Sequence, residues 1–319
     1  MPAHVIDGRP VARQLKAKLA AEVDHVRAAG IEVGLATLLV GGQFGATAYE
    51  RRLGRLATEL AVPYLPRRLP ETATQAEVID AVEELNHSPA VSGILVLRPL
   101  PDHIDEATVF RCIRPEKDIE AVHPENAGLL ALGVPRFVPS TAASAFHLLD
   151  TWLEAVGEDR ADFYHRATIV VVGRSNNVGK PAVSLGYERQ AAVLSIDEWA
   201  SRTGSLGRHT RAADVLIVAA GRAGLIKAEH VGEHAIVIDV GINPVLDPDG
   251  RVRMVGDVEF APVAQRARAI TPVPGGVGPV TDVWLLHNAV VAAHLRTGRP
   301  TADIELSFAD LTQHVLERR

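Results

Sequence analysis

Ala167-Thr168-Ile169-Val170-Val171-Val172-Gly173-Arg174-Ser175-Asn176-Asn177-Val178-Gly179-Lys180-Pro181 is the stretch that decides the fold. Its first six residues are apolar or β-branched without a break, the composition of a strand buried on both faces of a parallel sheet. Gly173 ends that strand and Gly179 opens a helix. The spacing is therefore Gly-x5-Gly, not the commoner Gly-x-Gly-x-x-Gly. Glycines there let the backbone approach a pyrophosphate, and the helix N-terminus offers free N–H groups and the positive end of its dipole. Pro181 suits a first helical turn, where a missing N–H costs nothing. A purely structural strand-to-helix turn is the competing reading. Asp197 stands 24 residues after Gly173, at the end of the next strand, where a carboxylate accepts hydrogen bonds from an adenosine ribose. It also suits a helix N-cap. Asp197 and its neighbour Glu198 would repel a 2′-phosphate, whereas Arg174 would attract one, so NAD and NADP both stay open.

Outward from this loop the chain alternates strands and helices, the rhythm of an α/β protein with a parallel sheet. Strands are expected at Leu35 to Val40, Gly93 to Leu97, Ala192 to Ile196, Val215 to Ala219 and Ala235 to Val240, the later ones as buried parallel strands. Helices are expected at Ala46 to Leu60, Glu77 to Asn86, Ser140 to Val156 and Val283 to Leu295, with the polar Gly157 to Arg166 as a linker. Phe308 to Leu316 has amphipathic spacing. At 319 residues the chain fits two domains. A hydrophobic content of 47% and a charged content of 23% are those of a globular protein. The net charge of -6 and dispersed cations leave no footprint for nucleic acid or an anionic membrane. One cysteine, Cys112, excludes an internal disulfide and fits a reducing cytoplasm. No apolar run reaches the ~18 residues of a membrane span. Of the 13 histidines only His230 and His234 have a ligand-like spacing, and Gly232 between them points to a loop, so no metal site is expected.

Three stretches resemble the bifunctional methylenetetrahydrofolate dehydrogenase/methenyltetrahydrofolate cyclohydrolase family: Val171 to Pro181, Val237-Ile238-Asp239-Val240-Gly241-Ile242-Asn243, and Ile270-Thr271-Pro272-Val273-Pro274-Gly275-Gly276-Val277-Gly278-Pro279-Val280-Thr281. Ile6-Asp7-Gly8 and the segment Pro115 to Gly128 resemble it as well. The likeness covers about residues 4 to 296. It implies an α/β fold of two domains with a cleft between them: an N-terminal folate-type domain, 1–145 plus 283–319, and a C-terminal Rossmann-like NAD(P)-binding domain, 146–282. It also implies a homodimer and a folate substrate. By the same resemblance Gly173, Arg174, Ser175, Val178, Gly179, Asp197, Ala220, Gly221 and Ile242 hold the dinucleotide. Tyr49, Glu120, Pro274, Gly275 and Gly276 meet the substrate.

The sequence departs from the family in its folate-domain motifs, whose lysine drives the cyclohydrolase step. The family's Tyr-x-x-x-Lys reads Tyr49 to Leu53, its glutamine before Leu-Pro-Leu-Pro reads Leu97, and its Pro-Ala-Ser reads Phe44-Gly45-Ala46. Asp-Val-Asp-Gly becomes Asp118-Ile119-Glu120-Ala121, which moves the carboxylate out by one methylene. Hydride transfer from a methylene bridge is assisted by the substrate's own nitrogen lone pair, so the protein mainly supplies positioning. Hydrolysis of the methenyl cation needs water activated and protons moved. Leu53 and Leu97 do neither. Arg52 shares a helix face with Tyr49, and Arg98 adjoins Leu97, but an arginine stays protonated and cannot act as a base. The expectation is a methylenetetrahydrofolate dehydrogenase with weak or lost cyclohydrolase activity. A fully bifunctional enzyme and a non-catalytic or repurposed dinucleotide-binding relative are the alternatives.

Overall fold

The computed structural model describes residues 2–247 and 249–297. In chain order the elements are β1 (His4–Val5), α1 (Gly8–Ala28), β2 (Leu35–Val40), α2 (Phe44–Glu59), β3 (Tyr64–Leu69), α3 (Gln75–His87), β4 (Gly93–Val96), α4 (Glu106–Cys112), α5 (Pro124–Ala131), α6 (Ser140–Ala155) and α7 (Arg160–Arg166). They continue as β5 (Thr168–Val172), α8 (Gly179–Glu188), β6 (Ala192–Ile196), α9 (Glu198–Arg202), α10 (Leu206–Thr210), β7 (Val215–Val218), β8 (Ile236–Asp239), β9 (Asn243–Leu246), β10 (Val252–Val255), α11 (Phe260–Ala264), β11 (Ala269–Ile270) and α12 (Val277–Leu295). The chain is a two-domain α/β protein with a Rossmann-like parallel sheet.

Contacts divide it into two compact units, one of residues 2–14 with Thr141–Thr281, the other of Leu15–Ser140 with 282–297. The opening residues join the second half's sheet, not the first domain to which the family pattern assigns them, because β1 pairs in parallel with β11. The divisions fall inside α1 and α12, and α12 begins six residues before the expected Val283.

In the unit of Leu15–Ser140, β2 lies between β3 and β4 in a parallel three-stranded sheet. All six residues of β2 are buried, as a central strand with both faces covered requires. Its core gathers Leu38, Val40, Val78, Val82, Ile94, Val109 and Ile113. Thr74 caps α3: its Oγ accepts from the Glu77 N–H at 3.3 Å while the Glu77 carboxylate accepts from the Thr74 N–H at 2.7 Å. The other unit carries six parallel strands in the order β1-β11-β8-β7-β5-β6 over a core of Val170, Val172, Leu216, Val218, Val237 and Ile270.

Three sequence expectations are corrected. Ala192 to Ile196 is not buried on both faces: β6 is the sheet's edge and exposes alternate residues. Gly157 to Arg166 contains α7, whose start is capped by the Asp159 carboxylate accepting from the Asp162 N–H at 2.9 Å. Leu97 falls one residue beyond β4. The Phe308 to Leu316 expectation lies outside the described residues. Among the described residues no helix is long and apolar enough to cross a membrane.

Candidate active site

Strand order places the ligand crevice of the Rossmann-like unit. From β5 the chain goes to β6 on one side, then crosses back to β7 and β8 on the other. The order in which successive strands are added therefore reverses between β5 and β7, and ligands bind beyond the carboxyl ends of the strands at such a point. Gly173 ends β5 there, and Ala219-Ala220-Gly221 leave β7 beside it.

The glycines are required by contact, not only by flexibility. Gly173 has φ +117°, and a Cβ on it would lie 2.1 Å from the Ala219 carbonyl oxygen. A Cβ on Gly179 would lie 2.1 Å from the Gly173 carbonyl oxygen, so the loop closes tightly on its own backbone. Within it the Gly179 N–H donates to Ser175 Oγ at 3.3 Å and Lys180 Nζ to Asn176 Oδ1 at 2.7 Å. Val178 is the residue before α8 and its side chain supplies no cap. The loop thus brings glycine backbone to a helix N-terminus whose capping residue Val178 contributes no side-chain hydrogen bond, an arrangement that fits a dinucleotide pyrophosphate.

Arg174 and Asp197 meet. Arg174 Nη1 donates to Asp197 Oδ2 at 2.8 Å, Nη2 to the Ser195 carbonyl at 2.8 Å and Nε to Ser195 Oγ at 3.3 Å. Asp197 Oδ1 meanwhile accepts from the Trp199 N–H at 3.1 Å. One Asp197 oxygen caps α9, as the N-cap reading expects, and the other is taken up by the Arg174 guanidinium. Ala220 and Gly221 are exposed, with φ +64° at Gly221, and Ile242 is exposed at the entrance to β9. Beneath them lie two buried carboxylates that sequence reasoning missed, Asp239 and Asp257. Burial, reinforced by the neighbouring Asp257 charge, raises the Asp239 carboxyl to about 7 against the pull of three backbone N–H donors.

The Pro-Gly-Gly loop belongs to the same unit. Its Val273–Pro274 peptide is cis, Gly275 has φ +113°, and the Gly275 carbonyl accepts from the Gly8 N–H at 2.8 Å. A Cβ on Gly8 would come within 1.9 Å of the Gly276 carbonyl oxygen, which explains the glycine of Ile6-Asp7-Gly8.

The remaining expected residues lie in the other unit. Helix α2 buries Ala46, Glu50, Leu53 and Ala57 on one stripe. Leu53 is 0% exposed, so the position where the family carries lysine is packed apolar core. Leu97 is also buried, its N–H donating to the Leu38 carbonyl at 2.9 Å. Tyr49 and Glu120 are brought together with Arg52 and with Asp282, a residue the sequence reading did not single out. Arg52 is half exposed but not free: its Nε and Nη2 donate to Asp282 Oδ2 and Oδ1 at 2.6 and 3.1 Å, and its guanidinium stacks 4.9 Å from the Tyr49 ring centroid. Arg98 faces Glu106 at 3.4 Å and stacks on Phe110.

Burial pushes the Tyr49 phenol well above its ordinary value, and the Asp282 and Glu120 charges push it further. It is therefore an O–H donor, not a base, at neutral pH. Burial likewise raises the Glu120 carboxyl, although Ser140 Oγ donates to its Oε1 at 2.5 Å and Arg98 attracts it. Asp282 is raised by burial against the pull of Arg52. His230 ends a short 3-10 turn and His234 has φ +72°, and among the described residues no group of three or more His, Cys, Asp or Glu is placed to hold a metal.

Comparison with known proteins gives consistent matches over both units. The profile "Tetrahydrofolate dehydrogenase/cyclohydrolase, catalytic domain" matches residues 6–120, and the "NAD(P)-binding domain" profile of the same name matches residues 139–297. The Bifunctional protein FolD 3 of Rubrobacter xylanophilus is 60% identical over 294 residues, 92% of each chain. Among solved structures, the Trypanosoma brucei N5,N10-methylenetetrahydrofolate dehydrogenase-cyclohydrolase complexed with NADP and an inhibitor superposes with a TM-score of 0.84 at 35% identity, covering 94% of this chain and 100% of that one. The bifunctional FolD enzyme of Campylobacter jejuni superposes with a TM-score of 0.82, also at 35% identity, covering 92% and 99%.

Proposed function

This chain belongs to the tetrahydrofolate dehydrogenase/cyclohydrolase family, and from that premise we propose that it oxidises 5,10-methylenetetrahydrofolate by hydride transfer to a nicotinamide dinucleotide while hydrolysing the methenyl product slowly. The observation that carries this reading is a contrast. The Gly173–Gly179 cradle is complete, whereas the positions of the family's hydrolytic lysine and glutamine are the buried leucines 53 and 97. The bound dinucleotide supplies the hydride acceptor. Gly173, Ser175, Val178 and Gly179 hold its pyrophosphate, and Ala220, Gly221 and Ile242 line the rest of its path. Tyr49 donates a hydrogen bond, Glu120 offers a carboxyl to the aminopyrimidinone edge of the pterin, and Pro274, Gly275 and Gly276 give a stiff backbone surface for a flat ligand. Positioning of this kind is enough for hydride transfer, because the substrate's nitrogen lone pair drives it. Assembly as a homodimer in the cytoplasm is carried over from the family resemblance.

Purified protein mixed with methylenetetrahydrofolate and NAD or NADP is expected to build up methenyl and reduced-cofactor absorbance in parallel. Absence of turnover with both cofactors rejects the proposal. A second reading, two steps at comparable rates, is favoured by the bifunctional name of the 60% identical Rubrobacter protein and by the raised Glu120 carboxyl beside Tyr49. Methenyl that fails to accumulate during oxidation decides for it.

The Arg174–Asp197 pair sets the cofactor. With its guanidinium already neutralised, Arg174 is a weakened anchor for a 2′-phosphate, and Asp197 repels one. The proposed preference is NAD. Asp197→Ser frees the cation and removes the repulsion, and is expected to shift the NADP-to-NAD ratio of kcat/KM roughly tenfold toward NADP, as expected for one unit charge near a partly exposed phosphate. An unchanged ratio excludes Asp197 as the determinant.

A further inference from the structure

The loop that leaves β7 points three consecutive N–H groups inward, at the protein. Ala220 and Gly221 donate to Asp257 Oδ2 at 2.6 and 2.8 Å, and Arg222 donates to Oδ1 at 2.8 Å. Such a run of N–H groups is a nest, the backbone concavity that elsewhere binds phosphate. Here a carboxylate from 36 residues further along the chain fills it. Asn243 Nδ2 completes the set at 2.8 Å from Oδ1, so Asp257 accepts four hydrogen bonds, about the full capacity of a carboxylate. It is 0% exposed.

A second layer fixes the first. The Asp257 and Val258 N–H groups donate to the Asp239 carboxylate at 3.0 Å each. Gly241 and Gly256 leave room for the two acids: a Cβ on Gly241 would lie 2.1 Å from the Asp257 carboxyl carbon, and one on Gly256 would lie 1.8 Å from Asp239 Oδ2. The Asp257 carbonyl accepts from the Ile226 N–H at 2.9 Å, so the same segment also grips the far end of the loop.

We propose that Asp257 is a positioning residue of the dinucleotide site: by filling the nest of Ala220, Gly221 and Arg222 with the protein's own anion, it holds the β7 loop as the second wall of the crevice and confines the dinucleotide's phosphates to the Gly173–Gly179 loop. This rests on the proposed function for the identity of the ligand. The fold makes the division necessary. Ala219, where the loop begins, stands against Gly173, so two phosphate-attracting backbone surfaces lie side by side at the switch point, and only one serves the pyrophosphate if the nicotinamide is to reach a fixed place.

The test uses the full chain with Asp257→Asn and Asp257→Ala, and reads NAD and NADP binding by calorimetry beside steady-state kinetics. Asp257→Asn, close in shape, exchanges an acceptor for a donor facing N–H groups. It is expected to raise the dinucleotide Kd at least ~10-fold, while kcat at saturating dinucleotide and the KM for methylenetetrahydrofolate stay within about twofold of the parent. In Asp257→Ala, sodium formate supplies a carboxylate of the size removed and is expected to restore much of the lost affinity, with no such effect on the parent or on Asp257→Asn. An unchanged dinucleotide Kd in Asp257→Asn overturns the proposal. So does an equal loss for both ligands with a lowered Tm and no formate rescue, which marks a structural brace only. If Asp257→Ala does not fold, the split between the two ligands in Asp257→Asn decides alone. A parent that binds dinucleotide without turning over folate sinks the proposed substrate and leaves this test readable.

Discussion

A Leu53→Lys, Leu97→Gln double variant is expected to hydrolyse the methenyl cation on the order of 100-fold faster than the natural chain, the lower range for a positioned acid or base. Leu53 lies on the buried stripe of α2, one turn after Tyr49. A lysine there is desolvated, which lowers its pKa and leaves a neutral fraction able to take a proton from water. Its charged fraction would stabilise the Tyr49 phenolate and bring that group toward useful values. Arg52 does not compete for this role, since its guanidinium is held by Asp282. Glutamine at 97 restores the amide that the family pattern carries there. Oxidation of methylenetetrahydrofolate is expected to change by less than about threefold, because lone-pair-assisted hydride loss uses neither group. Stability is expected to fall by a few kcal/mol, the consequence of placing polar atoms where leucines pack. Decay of methenyl absorbance, corrected for spontaneous hydrolysis, checks the rate. Decay that stays at background in a folded double variant shows that the two leucines are not what limits hydrolysis.

The parts of this protein legible in its sequence are those whose physical requirement is local. A run of β-branched residues ended by glycine specifies β5 and its turn without reference to the rest of the chain. Leu35 to Val40 matched its strand to the residue, because a central strand buried on both faces is apolar throughout. Where the requirement is set by a distant partner, the pattern misled. Ala192 to Ile196 is as apolar as a central strand, yet it is an edge, a property of sheet order that no single segment encodes. The Asn243–Leu246 and Val252–Val255 hairpin has no clear sequence signal despite the Asp247 and Gly250 between its strands, because those strands are short and half polar.

The same division holds at the site. Gly173 and Gly179 were readable because a backbone that must come close to phosphate tolerates no side chain. Asp257, Asp239 and Asp282 were not readable, since an isolated aspartate has no local signature and each acquires its role from groups far along the chain. Asp282 meets Arg52 across 230 residues. Arg52 is visible on the Tyr49 face of its helix, but its partner is not, because nothing adjacent in sequence reveals a buried acid. Departures from a family pattern are thus easy to locate, and the residues that answer them are not.

The second large effect is expected from Gly173→Ala, which should raise the Kd for NAD or NADP about 100-fold or more while leaving methylenetetrahydrofolate binding nearly intact. Two costs act together. At φ +117° an L side chain is strained whatever space surrounds it. The added methyl would also meet the Ala219 carbonyl oxygen at 2.1 Å and its carbon at 2.8 Å, and neither can swing away as the end of a side chain would. Ala219 is fixed because its N–H donates to the Val172 carbonyl at 2.8 Å, so relief must come from the β5 loop. The loop has little slack, given that the Gly173 carbonyl lies 2.1 Å from where a Cβ on Gly179 would be. It therefore shifts as a unit, withdrawing N–H groups from the pyrophosphate. A displacement of ~1 Å is enough to break hydrogen bonds of this kind. Gly42→Ala is the control, since a Cβ there meets nothing within 4 Å and Gly42 has no positive φ. Calorimetry on both folded variants separates the causes: dinucleotide affinity lost only in Gly173→Ala assigns the effect to backbone approach at the switch point. Equal affinities in the two variants would mean that the pyrophosphate does not lie on this loop, and the cofactor assignment would fall with it.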